Sequence, residues 1–321
     1  MPEVPARNLS VIDLAPPPDD YAQALLEGFA ARPRRIPSRF LYDDEGSRLF
    51  ERITELPEYY PTRTEMGLLA QHAGDIAKLA GPKVEVVELG AGASRKVRLL
   101  LDALQAPSGY LAIDVAKTAL TEACTALARD YPALAVRAVV ADFTDIERLP
   151  PPTGWRLAFF PGSTIGNFRP EQAARLLDRW RRLLAGSDMV IGVDLQKDAS
   201  VLLPAYDDAA GVTAAFNLNL LARANREAGA DFDLGGFSHV IDYTADTGRM
   251  ALYLESLRHQ QVEIAGRRFA LAAGERIHTE DSWKYTLSGF GDLARAAGFD
   301  HLHAWTDDRL RFSLHYLRGR L

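Results

Sequence analysis

Two glycines and two acidic residues carry the clearest chemistry in this sequence. Gly90 and Gly92 follow a run rich in β-branched residues (Val84, Val86, Val87) that ends in Glu88, and Asp114 stands 22 residues after Gly92, at the end of a second run, GYLAID. Glycines at such a turn let the backbone approach a ligand closely, and the helix expected after them offers unpaired N–H groups. A carboxylate at that spacing suits the hydroxyls of a ribose. A third run, LAVRAVVAD, closes at Asp142 and Phe143, a polar edge and an aromatic neighbour fit for an adenine ring. This is the chemistry of a nucleotide cofactor. The dinucleotide fingerprint calls for a third glycine where this chain has Arg95. S-adenosylmethionine has no pyrophosphate and does not need that glycine, so the spacing favours it over a nicotinamide dinucleotide.

These residues must be held by a particular set of elements. Strands are expected over 84–88, 109–114, the run before Asp142, WRLAFFP and DMVIGVDL, with helices between them, including one from Pro170 to Leu184. Strict alternation of strand and helix points to a parallel sheet covered on both faces. After Leu195 the rhythm breaks. Residues 197–230 read as mostly helical, and residues 236–273 read as strands with a hairpin turn at Ala265-Gly266-Arg267. The stretch GERIHTEDSWKY reads as a connection back to the core. A helix from Thr286 to Ala297 and a terminal antiparallel hairpin then close the sheet. Upstream, Tyr21, Leu25 and Phe29 share one helical face, and Leu49, Phe50 and Ile53 mark a short amphipathic helix ending before Pro57. Thr62 or Thr64 is expected to cap the helix that follows. The arginines of RPRRIPSR read as a solvated loop, and the Pro-rich first 20 residues as a mobile arm.

Bulk properties narrow the field. The chain has 321 residues, 47% hydrophobic content and 25% charged residues, ample for a buried core and about two domains. A net charge of −6 argues against a nucleic-acid binder with a basic surface. No apolar run reaches the roughly 18 residues of a membrane span. The single cysteine, Cys124, reads as a core filler, excludes an intramolecular disulfide and points to the cytoplasm. No H-E-x-x-H, C-x-x-C or G-x-S-x-G string is present, so no metal is expected. His278, beside Thr279 and Glu280, reads as structural. The pair Asp207-Asp208 reads as capping or solvated rather than as a catalytic dyad.

Five strings stand out together: PEYYPTRTE, ELGAGASRK, FFPGSTIGN, AYDDAAGVTAAFN and TEDSWKY. With them, the sequence from about Pro37 onward closely resembles the EgtD family, the histidine Nα-methyltransferases of ergothioneine biosynthesis. The resemblance implies an α/β fold. A Rossmann-like class I methyltransferase sheet with a terminal antiparallel hairpin would be joined by an α+β substrate-binding domain. The expected parts are residues 1–80 (N-terminal helical part of the substrate domain), 81–196 (methyltransferase core), 197–285 (the insertion completing the substrate domain) and 286–321 (C-terminal helix and hairpin).

The implied reaction moves three methyl groups in turn from S-adenosylmethionine to the α-amine of L-histidine, giving hercynine. Implied cofactor contacts are Gly90, Lys96, Asp114, Asp142 and Phe143. Implied amino-acid contacts are Tyr59, Asn167, Tyr206, Glu280 and Ser282, with Tyr42 and Phe50 lining the imidazole pocket. Tyr59, Asn167 and Glu280 stand nearest the chemistry. Asn167 and Tyr206 are neutral donors suited to a carboxylate; Glu280 can accept an imidazole N–H, and Ser282 can serve the other ring nitrogen. Without the resemblance, Glu280 and Ser282 read as a turn or capping pair before the helix at Thr286. Where the family carries a methionine at the ring pocket, this chain has Leu252, a volume-conserving change. The expected state is a cytoplasmic monomer or weak oligomer acting on a small molecule, with no nucleic-acid or membrane partner. Rival readings are an N-methyltransferase of a tryptophan- or tyrosine-like amino acid, a nicotinamide-dependent oxidoreductase, and a binding module without activity.

Overall fold

A computed structural model describes residues 8–14, 21–92 and 94–320. The chain forms two compact units, and each is discontinuous in sequence. Unit 1 comprises Met1–Pro16, Pro61–Gln196 and Tyr285–Leu321; unit 2 comprises Pro17–Tyr60 and Lys197–Lys284. Residues 61–80, grouped by sequence with the N-terminal part, thus lie in unit 1.

Among the described residues, unit 1 is built on an eight-stranded sheet. Its order is Leu9–Asp13, Ala135–Val140, Gly109–Asp114, Val84–Leu89, Trp155–Phe160, Asp188–Asp194, Phe312–Gly319, Phe299–Thr306. The first six run parallel, and the last two form the antiparallel closing hairpin. Every residue of the strands Val84–Leu89 and Asp188–Asp194 is buried, Glu85, Glu88, Asp188 and Asp194 included, as strands covered on both faces require. Helices Tyr60–Ala80, Arg95–Ala103, Lys117–Asp130 and Pro170–Leu183 supply apolar faces; Leu68, Leu69, Val97, Leu100, Leu120 and Cys124 join one core cluster with the strands. Cys124 is buried, in keeping with its reading as a core filler.

Unit 2 contains a four-stranded sheet, Arg34–Arg35, Arg276–Trp283, Arg249–Ser256, Phe237–Thr244, and a hairpin of Gln260–Ile264 with Arg267–Leu271. The hairpin turn at Ala265 and Gly266 has positive φ at both residues, as a tight turn demands. Helices Tyr21–Ala30, Asp44–Glu55 and Val212–Glu227 pack over an apolar cluster that includes Leu25, Phe29, Ile53, Phe216, Leu254 and Ile277. The helical face of Tyr21, Leu25 and Phe29 is buried as its spacing requires.

Several expectations are corrected. Within the N-terminal arm, Leu9–Asp13 is an edge strand paired parallel with Ala135–Val140 rather than mobile chain. Asn8 anchors it by donating to the carbonyls of Ala128, Tyr131 and Leu134 at the end of a helix. The remainder of the arm, residues 1–7 and 15–20, lies outside the described residues. Neither Thr62 nor Thr64 caps the following helix, because that helix already begins at Tyr60. Arg34 is not solvated: it is 3% exposed and donates to the carbonyls of Phe29 and Ala270 and to Glu275. The stretch read as a connection, ERIHTEDSW, contains an internal strand of the unit 2 sheet, Arg276–Trp283.

Candidate active site

In unit 1 the glycine turn gathers its expected partners. Gly90 and Gly92 have φ of 69° and 48°, left-handed values that glycine adopts without strain. The Asp114 carboxylate accepts from Gly92 N at 3.1 Å and from Ala116 N at 2.9 Å. Burial raises its pKa, and these backbone donors oppose that rise. Phe143 lies against Gly90: a Cβ there would sit 3.7 Å from its ring. Its carbonyl accepts from the Trp180 indole, and its ring packs near Phe160 and Phe168. Asp142 holds its own loop, accepting from the N and Oγ1 of Thr144. A cavity of about 370 Å³ opens beside it, lined by Ala141, Asp142, Asp145 and Ile146 among others. Open space at Gly92, where a Cβ would meet nothing within 4 Å, and a carboxylate held beside it fit a nucleoside-bearing cofactor.

Beneath the turn lie two acidic residues that sequence reasoning left without a role. Glu88 is 2% exposed, accepts from the Tyr110 hydroxyl, and is pushed by burial up to about 8. Glu65 is fully buried; it accepts from Gly162 N at 2.9 and 3.0 Å and pairs with Lys96 Nζ at 2.6 Å. Lys96, an implied cofactor contact, is therefore held by Glu65. The carboxylate also fixes the loop Gly162–Asn167, where Gly162 and Ser163 have positive φ and Ser163 Oγ accepts from Asp194 N. Asn167 closes the short helical turn of that loop. The one sequence signal for Glu65 was its place at the end of PEYYPTRTE.

Unit 2 collects the implied acceptor contacts. Glu280 and Ser282 lie on the strand Arg276–Trp283, not on a turn or cap, opposite Leu252 and Met250. Directly paired residues share a sheet face. That face is apolar: Met250 and Leu252 cluster with Tyr60, Leu202 and Ala205, and Tyr59, Tyr206, Ile241 and Tyr243 pack against them. A bulge between His278 and Glu280 sets this orientation. Ile277 faces the core opposite Leu254, and strict alternation would place Thr279 there next; the extra residue brings Glu280 instead. Burial pushes the Glu280 carboxyl up to about 7, with Lys284 opposing the rise.

Tyr206 Oη lies 2.9 Å from Ser282 Oγ, and the backbone carbonyl of Tyr206 accepts from His239 Nε2. Tyr42, Phe50 and Phe216 form an aromatic group with ring centroids 5.6–6.0 Å apart, and Tyr59 lies 6.3 Å from Phe50. Tyr59 packs against this group and against the Leu252 face alike. Tyr60 is buried and accepts from Lys197 Nζ. Phe216 and Lys284 are additional residues here; each stood inside a distinctive string, AYDDAAGVTAAFN and TEDSWKY.

The other candidates have structural roles. His278 pairs with Asp281, which also binds Arg249, on the opposite sheet face. Asp208 accepts from the N of Val212 and Thr213 and so caps a helix. Among the described residues no His, Cys, Asp and Glu side chains cluster in a way that could hold a metal ion.

Residues 21–319 match the model of a family described as histidine-specific, S-adenosylmethionine-dependent methyltransferase. The chain is 40% identical over 306 residues to the histidine N-alpha-methyltransferase of Mycolicibacterium smegmatis, covering 92% of this chain and 95% of that protein. Against the protein of that name from Mycobacterium tuberculosis it is 38% identical, covering 89% and 91%. It is also 33% identical to part of ergothioneine biosynthesis protein 1 of Neurospora crassa, covering 89% of this chain and 33% of that one.

Proposed function

Because this chain belongs to the family of histidine-specific, S-adenosylmethionine-dependent methyltransferases, we propose that it methylates the α-amine of L-histidine. The product is the trimethylated betaine hercynine, the first step of ergothioneine biosynthesis. The observation that carries this reading is the match over nearly the full length of both chains to a histidine N-alpha-methyltransferase.

Gly90, Gly92, Asp114, Asp142 and Phe143 hold S-adenosylmethionine, which supplies the methyl group. Lys96, fixed by Glu65, supports the same turn. Glu280 accepts the imidazole N–H within an apolar wall of Leu252 and Met250, with Tyr42, Phe50 and Phe216 as the aromatic surround. Tyr206 and Ser282 provide hydroxyl donors. Tyr59 bridges the aromatic and polar parts, and Asn167 is retained as an acceptor contact on family resemblance alone. In-line transfer needs an unprotonated amine about 3 Å from the methyl carbon and little acid–base machinery. The α-amine is mostly protonated at neutral pH, so the residues' task is to orient it and exclude water once its proton has left. A buried carboxylate left without its N–H partner penalises amino acids lacking the imidazole donor.

In the same reading the protein works in the cytoplasm as a monomer or weak oligomer without nucleic-acid or membrane partners. The net charge of −6 supports the lack of a nucleic-acid partner; among the described residues no helix is long and apolar enough to cross a membrane. The test is incubation with histidine and S-adenosylmethionine followed by mass spectrometry, alongside tryptophan and tyrosine. Trimethylhistidine is expected; no mass gain on histidine under saturating cofactor overturns the reading.

A further inference from the structure

Lys284 follows the strand Arg276–Trp283 and is 2% exposed, an unusual place for an ammonium group. Its Nζ donates to Tyr206 Oη at 2.5 Å and to Ser282 Oγ at 2.8 Å, and it lies 4.5 Å from the centroid of the Tyr206 ring. With the 2.9 Å contact between Tyr206 and Ser282, the three polar atoms form a closed triangle. Lysine has three donors and no acceptor. Each hydroxyl oxygen therefore accepts one lysine N–H, and one of the two hydroxyl hydrogens is spent between Tyr206 and Ser282. One hydroxyl hydrogen remains, on whichever oxygen accepts the other's bond. The triangle is thus a donor carrying a positive charge, which suits an anion better than a neutral ring nitrogen.

We propose that Lys284 is a positioning residue that converts the Tyr206–Ser282 hydroxyl pair into a donor site for the α-carboxylate of the amino-acid substrate. The proposal rests on the histidine reading above, and it reassigns Ser282 from the imidazole ring to the carboxylate. Lys284 acts through the two hydroxyls: its charge orients them and stabilises the anion they hold.

The test uses the ratio of two affinities, for histidine and for histamine, which keeps the ring and amine but lacks the carboxylate. Both are measured by calorimetry on the full chain saturated with S-adenosylhomocysteine. Failure of the wild-type protein to bind histidine would overturn the functional reading itself, apart from this proposal. Given wild-type binding, Lys284→Gln keeps donors but removes the charge. It should lower the histidine-to-histamine ratio about tenfold or more, the size expected of a charge-assisted hydrogen bond. A smaller change in the ratio, with both ligands weakened together or neither affected, overturns the proposal, since loss of packing or of the charge near Glu280 weakens both ligands alike. Cooperative melting and S-adenosylhomocysteine binding check the fold. Should Lys284→Gln fail to fold, the double variant Tyr206→Phe, Ser282→Ala, which keeps the lysine, must lower the same ratio by about tenfold; an unchanged ratio then overturns it.

Discussion

Glu280 is the residue on which acceptor recognition turns, and its protonation state makes that testable. Burial lifts its carboxyl to about 7, so the charged form that accepts an imidazole N–H becomes populated as pH rises through that value. Affinity for histidine should therefore climb between pH 6 and 8, over and above the titration of the free ligand. Glu280→Gln should remove that component and weaken binding about tenfold or more, because a buried acceptor is exchanged for an amide with competing donors. Titration calorimetry of both proteins across the pH range checks it, and parallel pH profiles would exclude Glu280 as the titrating acceptor. Glu280 and Ser282 were legible in the sequence only as part of TEDSWKY; taken alone they read as a turn. Lys284 and Glu65 were missed for a related reason. Isolated charged residues usually face solvent, and the partners that bury these two lie 78 and 97 residues away.

At the scale of elements, two local devices decide where those residues point. One is the bulge at Thr279. The strand ERIHTEDSW shows no apolar alternation because polar groups occupy both of its faces: Glu280 and Ser282 on one, His278 and Asp281 on the other. This is why it read as a connection. Deleting Thr279 removes the extra residue and leaves Glu280 opposite Leu252 by plain alternation, so histidine binding measured by calorimetry should be retained within a few-fold; its loss while S-adenosylhomocysteine still binds would show that the bulge does more than set the face. The other device is the missing side chain at Gly192. A Cβ there would come within 2.0 Å of Glu65 Oε1, so the strand needs glycine for the carboxylate to reach Gly162 and Lys96. Gly192→Ala should cost about 1–3 kcal/mol by overpacking. Glu65→Ala should cost about 3 kcal/mol or more by leaving a lysine and a backbone donor unpaired. Chemical denaturation measures both. The parallel strands themselves were legible, since each is a short run rich in Val, Ile, Leu, Ala or Phe set between helical segments. The edge strand Leu9–Asp13 was not, because half-exposed edges carry a weak pattern.

For the molecule as a whole, acid stability has a traceable source in unit 1. His315 is fully buried between Ser313 Oγ and His301 Nε2 and packs on Phe290. Burial pushes it down to about 3, and His301 is lowered as well, with Arg295 and His303 contributing. An unfolded chain binds a proton at His315 near pH 6.5 that the folded one refuses, so this site stabilises the fold above that pH and loses the contribution as pH falls towards 3. His315→Asn should therefore lie furthest below wild type in melting temperature at pH 7 and close the gap by pH 5; a constant difference would contradict this. The arrangement of units also bears on how the protein is made. The helices Tyr21–Ala30 and Asp44–Glu55 share one apolar cluster with residues 212–277, which leave the ribosome only after the intervening 61–196. At usual elongation rates the first helices of unit 2 wait roughly ten seconds for their partners. The apolar face of Leu25, Phe29 and Ile53 is then uncovered throughout, a window in which a nascent-chain chaperone has something to hold.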